Sequence, residues 1–313
     1  MSRSTNGPSI LRLTISAADG ADDDRLKTTL VEIAAQDPSV RLSTQPEGTR
    51  YSLEGRTESD LDSICDRLRD EYHLAINVGP PTAILVETIR KEAEAEGKYI
   101  RQTGGSGNYG HCKIRIEPDV SARGYEFING ISSGAVPSEY IESIDQGIQA
   151  AMRRGVLAGC PMVDIRVTLC DGSYHETDSN PMAFTFAGSI AFKEAAKKAS
   201  PVLLEPMMEI EIVEVPAELS DVIRDEIYTH RGRVEHEGTT DGWSEIKAVV
   251  PLSELLASPS RLLAEFAMEF AGYEAVRNDG SSDENGSGVT ANRPNRPKPR
   301  SRSETTRPEP EDD

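Results

Sequence analysis

Two stretches of this chain, one near each end, carry the same succession of apolar periods: alternation, helical spacing, two short alternations, helical spacing, alternation. In the first, Leu11, Leu13 and Ile15 alternate with Arg12 and Thr14, the period of a strand. Asp22, Asp23 and Asp24 favour a helix N-terminus, and Leu26, Leu30, Ile33 and Ala34 follow at helical spacing until Asp37-Pro38. Short strands fit residues 40–44 and 49–54, joined at Pro46-Glu47-Gly48. A second helix fits residues 59–72, with Leu61, Ile64, Cys65 and Leu68 inward. Leu74, Ile76 and Val78 form the last strand, closed by Gly79-Pro80-Pro81. That order, βαββαβ, predicts a small α+β sandwich with antiparallel pairings.

Near the other end, Met208, Ile210 and Ile212 alternate with Glu209 and Glu211. A helix fits 217–229, strands fit 233–237 and 243–250, a helix bent near Pro259 fits 252–266, and a strand fits 268–274. The architecture repeats while the residues do not. The chain therefore divides into residues 1–83, a different middle at 84–205, a second βαββαβ unit at 206–276, and a tail at 277–313. The tail is Gly, Ser, Asn, Pro and charge, with Val289 its only large aliphatic, and is expected to be disordered.

The middle opens on a strand near residues 98–102, a glycine-rich turn, and a strand at 111–117 with Cys112, Ile114 and Ile116 on one face. A helix fits 138–154, with Ile141, Ile144, Ile148 and Met152 as its stripe and Gly155 at its end. Val163, Ile165, Val167 and Leu169 form another strand, and the loop 171–180 follows. Asn180-Pro181 reads as N-cap then first turn of a helix running to about Ser200.

Charge narrows the function. The 313 residues carry 34 basic and 53 acidic side chains, a net of −19. A basic coat for nucleic acid or anionic membrane is excluded. The charge is uneven: −5 over 1–83, −3 over 84–205 and −10 over 206–276. Any nucleic-acid contact should use the middle, because the last unit repels phosphate. No apolar run is long enough for a transmembrane helix, and the first residues lack a secretory h-region. Cys65, Cys112, Cys160 and Cys170 show no disulfide or zinc spacing, which suits free thiols in the cytoplasm. No cofactor or metal is expected.

Gly105-Ser106-Gly107-Asn108-Tyr109-Gly110 matches G-x-G-x-x-G, but it opens a strand rather than a helix, so no dinucleotide site is expected. With Gly104 it is a hairpin tip, either a flexible tight turn or a tip that approaches RNA backbone closely. No G-x-x-x-x-G-K-[ST] occurs in the chain, so no phosphate cradle for GTP or ATP is present in it. His175, in Asp171-Gly172-Ser173-Tyr174-His175, is either a surface histidine or a donor to phosphate and base. His73, His111, His230 and His236 have no evident catalytic neighbour, and Ser173, His175 and Asp178 lie too close along one loop for a triad.

The ordered series Gln102-Thr103-Gly104-Gly105, Tyr109-Gly110-His111, Val136-Pro137-Ser138-Glu139-Tyr140-Ile141, Gly155-Val156-Leu157-Ala158-Gly159, Asp171 to His175, and Pro201-Val202-Leu203-Leu204-Glu205-Pro206 resembles bacterial elongation factor G, domains three to five. Asp66-Arg67-Leu68, Asn77-Val78-Gly79 and Pro251-Leu252-Ser253-Glu254 extend the resemblance into both outer units, over about residues 10–276. It implies two ferredoxin-like units flanking a ribosomal-protein-S5-like α/β domain with a left-handed crossover. It also implies a middle domain that inserts beside transfer RNA in the decoding-side A site. Its contacting residues would be Gly104, Gly105, Ser106, Gly107, Asn108 and Tyr109, with Ser173, Tyr174 and His175 from the second loop.

The departures point the same way or sharpen the question. The family's GTPase domain and its following barrel have no counterpart here, and its Gly-Met-Gly-Glu-Leu-His-Leu, which faces the GTPase switches, reads Glu54-Gly55-Arg56-Thr57-Glu58-Ser59-Asp60-Leu61. At the tip, Ser106 and Asn108 stand where the family has Arg and Gln. The last unit lacks a late Gly-Arg-Gly and is shortened around residues 258–266. The expectation is a non-enzymatic, GTPase-free factor that binds ribosomal A-site RNA and transfer RNA, acting in elongation alone or with a separate GTPase or protein partner. The alternative is a regulatory, protein-binding relative that has lost ribosomal RNA contact.

Overall fold

The structure, a computed structural model, describes residues 8–44, 50–103, 106–119, 124–131, 134–257 and 267–276. The turn at Pro46-Glu47-Gly48, Gly104 and Gly105 at the hairpin tip, residues 258–266 and the tail at 277–313 lie outside them.

The first unit consists of β1 (Leu11–Ala17), α1 (Asp23–Gln36), β2 (Arg41–Thr44), β3 (Tyr51–Gly55), α2 (Glu58–Asp70) and β4 (Ile76–Val78), with a short β5 (Thr82–Ala83). The sheet order is β2-β3-β1-β4, β5 also pairs β1, and every pairing is antiparallel. The alternation read from Leu11, Leu13 and Ile15 is the buried face of β1. Thr57 caps α2 by accepting the Asp60 N–H at 3.1 Å.

The middle sheet is β7 (Ala93–Thr103), β8 (Ser106–Pro118), β9 (Tyr125–Asn129) and β10 (Ile165–Ser173), in the order β7-β8-β10-β9. β9 runs parallel to β10, and α3 (Ile141–Met152) makes that crossover. α4 (Pro181–Lys198) packs on the same face, over β7 and β8. Its approach is close. A Cβ on Gly97 would stand 2.0 Å from the Ala187 carbonyl oxygen, and one on Gly110 would stand 2.4 Å from that of Ala183. Glycine at these two strand positions lets the helix backbone settle on the sheet. Cys112, Ile114, Ile116, Ile148, Val167, Phe184 and Phe192 form the core between the layers.

The last unit contains β11 (Pro201–Pro216), α5 (Ser220–Thr229), β12 (Arg233–Thr240), β13 (Trp243–Pro251), α6 (Leu252–Ala257) and β14 (Ala267–Ala275). Its sheet order, β12-β13-β11-β14, is that of the first unit, again antiparallel. A strand not expected from the sequence, β6 (Val86–Ile89), joins this sheet by pairing with residues Pro201 to Leu204 of β11. The outer units share one apolar cluster in which Leu13, Leu53 and Leu68 meet Leu204, Met208, Leu252 and Tyr273. The chain is thus α+β, with two ferredoxin-like sheets around an α/β middle.

Among the described residues, no helix is long and apolar enough to cross a membrane. All four cysteines are free, and burial pushes the Cys112 thiol up to about 12.

Candidate nucleic-acid interface at the middle-domain tip

The strand pairing beside the glycine-rich tip runs further than the sequence suggested. Ser106, Gly107, Asn108 and Tyr109, expected in the tip loop, belong to β8 and pair with Thr103, Gln102, Arg101 and Ile100. The reason is the uninterrupted ladder, which runs on to the pair Thr103 and Ser106. At the second loop, Asp171, Gly172 and Ser173 likewise belong to a strand, as the end of β10 beside β8. The loop proper runs from Tyr174 to the N-cap, where the Asn180 side chain accepts the Ala183 N–H at 2.9 Å.

These two segments interlock. Asp178 accepts the Gly107 N–H on its side chain at 3.0 Å and the Tyr109 N–H on its carbonyl at 2.8 Å. Ser179 makes a parallel bridge to Tyr109. The Asn180 amide donates to Asn108 Oδ1 at 2.7 Å. The loop closes on itself, since the His175 N–H donates to Ser179 Oγ at 2.9 Å and the Ser179 N–H returns to the His175 carbonyl at 3.1 Å. The His175 ring meets Tyr109 edge-on, with ring centroids 5.0 Å apart.

Below this contact lies a side-chain relay that the sequence did not reveal. Tyr109 OH and Ser173 Oγ are 2.7 Å apart, Ser173 Oγ and His111 Nδ1 2.8 Å, and His111 Nε2 and Glu96 Oε2 3.3 Å. With a neutral imidazole, donation runs from Tyr109 to Ser173 to His111 to Glu96. His111 therefore has hydrogen-bonding neighbours that its place in the sequence did not reveal. The Ser173–His175–Asp178 grouping does not form, because Asp178 is committed to Gly107 and His175 to Ser179 and Tyr109. The Glu96 carboxylate at the end of the relay is 71% exposed, so the relay orients Tyr109 rather than building a dry catalytic site.

The surroundings suit a mixed polar and stacking contact. Tyr174 and His175 are exposed on the loop, and Lys98, Ile100 and Arg101 are exposed on β7 opposite His111, Tyr109 and Asn108. Among the described residues, no group of three or more His, Cys, Asp or Glu is placed to hold a metal ion.

Three family descriptions match in succession: elongation factor G domain III over residues 7–80, domain IV over 81–200, and the elongation factor G C-terminus over 202–283. The chain belongs to the elongation factor G family. A crystal structure of a protein from Thermus thermophilus is 35% identical, with a TM-score of 0.63, and covers 86% of this chain. This chain spans 41% of that protein's length. The interlocked tip lies wholly within the elongation factor G domain IV segment. The chain is accordingly translation-factor-like in its domains.

Proposed function

We propose that this protein binds the ribosome near the A site through domain IV and acts in, or modulates, translational elongation. The observation that carries the reading is the union of the two loops into one tip, with the Tyr109 ring set against His175 on the least acidic unit. Gly104, Gly105, Ser106, Gly107, Asn108 and Tyr109 would meet transfer RNA or small-subunit RNA from one side, and Ser173, Tyr174 and His175 from the other. Exposed Tyr174 and His175 supply stacking faces. The 313 residues contain no phosphate cradle, so any GTP hydrolysis in the process is supplied by residues outside this sequence.

Purified protein should co-sediment with ribosomes at low salt. His175→Ala and Asn108→Ala should weaken the effect on transfer RNA movement more than they lower thermal stability. Absence from the ribosomal pellet rejects the reading, and equal losses of stability and function assign both residues a structural role.

The net −10 on residues 206–276 favours a second reading, a regulatory module whose partner is a protein. A pull-down that enriches one protein and survives nuclease supports it; recovered ribosomal RNA counts against it.

A further inference from the structure

Glu87 is the one fully buried glutamate, at 0% exposure, among the described residues. A carboxylate there requires several donors. It has four, all from one loop. Oε2 accepts the N–H groups of Val156 at 2.7 Å and Leu157 at 3.0 Å, and Oε1 accepts those of Ala158 at 2.8 Å and Cys160 at 3.1 Å. The backbone is tied as well: Glu87 N–H donates to the Pro161 carbonyl at 2.8 Å, and Val163 N–H donates to the Glu87 carbonyl at 2.9 Å.

Both partners lie within the domain IV segment, residues 81–200, but they sit in different parts of the structure. Glu87 lies on β6, which pairs with β11 in the last sheet. The loop 155–160 follows α3 of the middle domain. β6 itself straddles the boundary, with Val86 in the apolar cluster of the outer units and Ile89 in the middle core. The chain crosses between β6 and β7, and again between α4 and β11. These crossings are bonded to each other, with Arg90 and Lys91 N–H groups on the Ala199 carbonyl at 3.1 and 3.2 Å. Two adjacent crossings form a hinge line; a third attachment away from it removes the remaining rotation.

We infer that Glu87 is a positioning residue that locks the direction in which domain IV presents its tip. β7 leads from this base to the tip over eleven residues, a lever of about 35 Å. A swing of ~10° at the base moves the tip by about 6 Å over that lever, far more than a hydrogen bond tolerates. Only the functional consequence rests on the proposed ribosomal role; the lock itself is a property of the free chain.

The test uses the full chain carrying Glu87→Gln, with spin labels on cysteines introduced at Met182 and Asp225, and with Cys160 and Cys170 changed to Ala. Met182 is on α4 and Asp225 is on α5. The parent with Glu87 intact should give one narrow distance distribution, and Glu87→Gln a broadened or displaced one. Amides of Val156, Leu157, Ala158 and Cys160 should exchange at least ~10-fold faster, the loss expected for one charge-assisted bond. Amides of Ile114 and Ile116 should hold their rates. Should Glu87→Gln fail to fold, Gly155→Ala loosens the same clamp from the loop side. Gly155 has φ +58°, and its Cβ would stand 2.2 Å from the Cys160 carbonyl oxygen and 2.4 Å from Glu87 Oε1. An unchanged distance distribution in a folded variant whose loop amides are deprotected overturns the lock. So does unchanged exchange of those amides. Ribosome co-sedimentation of the parent protein is scored separately, so failure of the ribosomal reading leaves the distance result standing.

Discussion

Asn108 and Asn180, 72 positions apart, join the two loops by one amide-to-amide hydrogen bond of 2.7 Å. A double-mutant cycle on this pair measures the coupling between them. Asn180→Ala removes two things: the cap on Ala183 N–H and the donor to Asn108. The cap is worth about 1 kcal/mol. The half-buried amide bond adds about 1 kcal/mol. Asn108→Ala loses only the second, about 1 kcal/mol. If the bond exists, the double variant loses about 2 kcal/mol rather than about 3, because the shared bond cannot be lost twice. Asn180→Asp separates the two roles. It keeps an acceptor for the Ala183 N–H and suits the helix N-terminus, but it turns an oxygen toward Asn108 Oδ1. It should therefore behave like Asn108→Ala. The assay is native-state hydrogen exchange at Ile114 and Ile116 in β8, which reads opening of the middle domain without unfolding the outer units. Additivity within about 0.3 kcal/mol would refute the contact and the interlocked tip with it.

Ser173→Ala should destabilise the middle domain by about 1 kcal/mol, because Tyr109 OH and His111 Nδ1 lose their shared partner. It should also shift the His175 ring protons in an NMR spectrum; unchanged spectra would show that the relay does not orient Tyr109. Asp164, at φ +55° and 7% exposed, has its carboxyl raised above the usual range, chiefly by burial and further by Asp119. The folded state therefore holds that proton more tightly, so its contribution to stability falls as pH rises through the raised pKa. Asp164→Asn should raise the thermal midpoint at pH 7, with a gain that shrinks as pH drops through that pKa toward the ordinary carboxylate range. An equal gain at every pH would assign the effect to the backbone alone. Arg231 pairs at 2.8 Å with Glu205, whose side chain is 4% exposed. Arg231→Ala should cost the last unit about 3 to 5 kcal/mol. Arg231→Met with Glu205→Leu should recover most of it in urea unfolding, and no recovery would refute the buried-pair explanation.

The outer units were legible where a strand buries one face and turns the other outward. Leu11, Leu13 and Ile15 alternate in the sequence as they do in β1, and the same holds for Ile210 and Ile212 in β11. β6 was not legible, for the opposite reason. Val86, Glu87, Thr88 and Ile89 are all buried, so nothing alternates, and two of the four are polar. What makes them tolerable inside comes from elsewhere: four N–H groups from residues 156–160 for Glu87, and the Val163 carbonyl for Thr88 at 2.9 Å. A local reading of hydropathy cannot include donors and acceptors some 70 positions away. β9 escaped as well, since its five residues are half-buried or exposed.

The tip shows how one residue of register decides a site. The sequence marks the glycine hairpin and the His175 loop, but it does not say which side chain of β10 meets His111. Leu169 stands opposite Ile114, and an even ladder would continue with Cys170 opposite Lys113 and Gly172 opposite His111. Instead β10 bulges between Leu169 and Asp171, so Asp171 faces Lys113 and Ser173 faces His111. A bulge inserts one residue and shifts every later pair by one. Without it, His111 would look at a glycine, Tyr109 OH would lack its hydroxyl partner, and nothing would hold the ring that meets His175. The residues Ser173, His111 and Tyr109 are plain in the sequence; their meeting depends on a backbone irregularity that no spacing of residue types encodes.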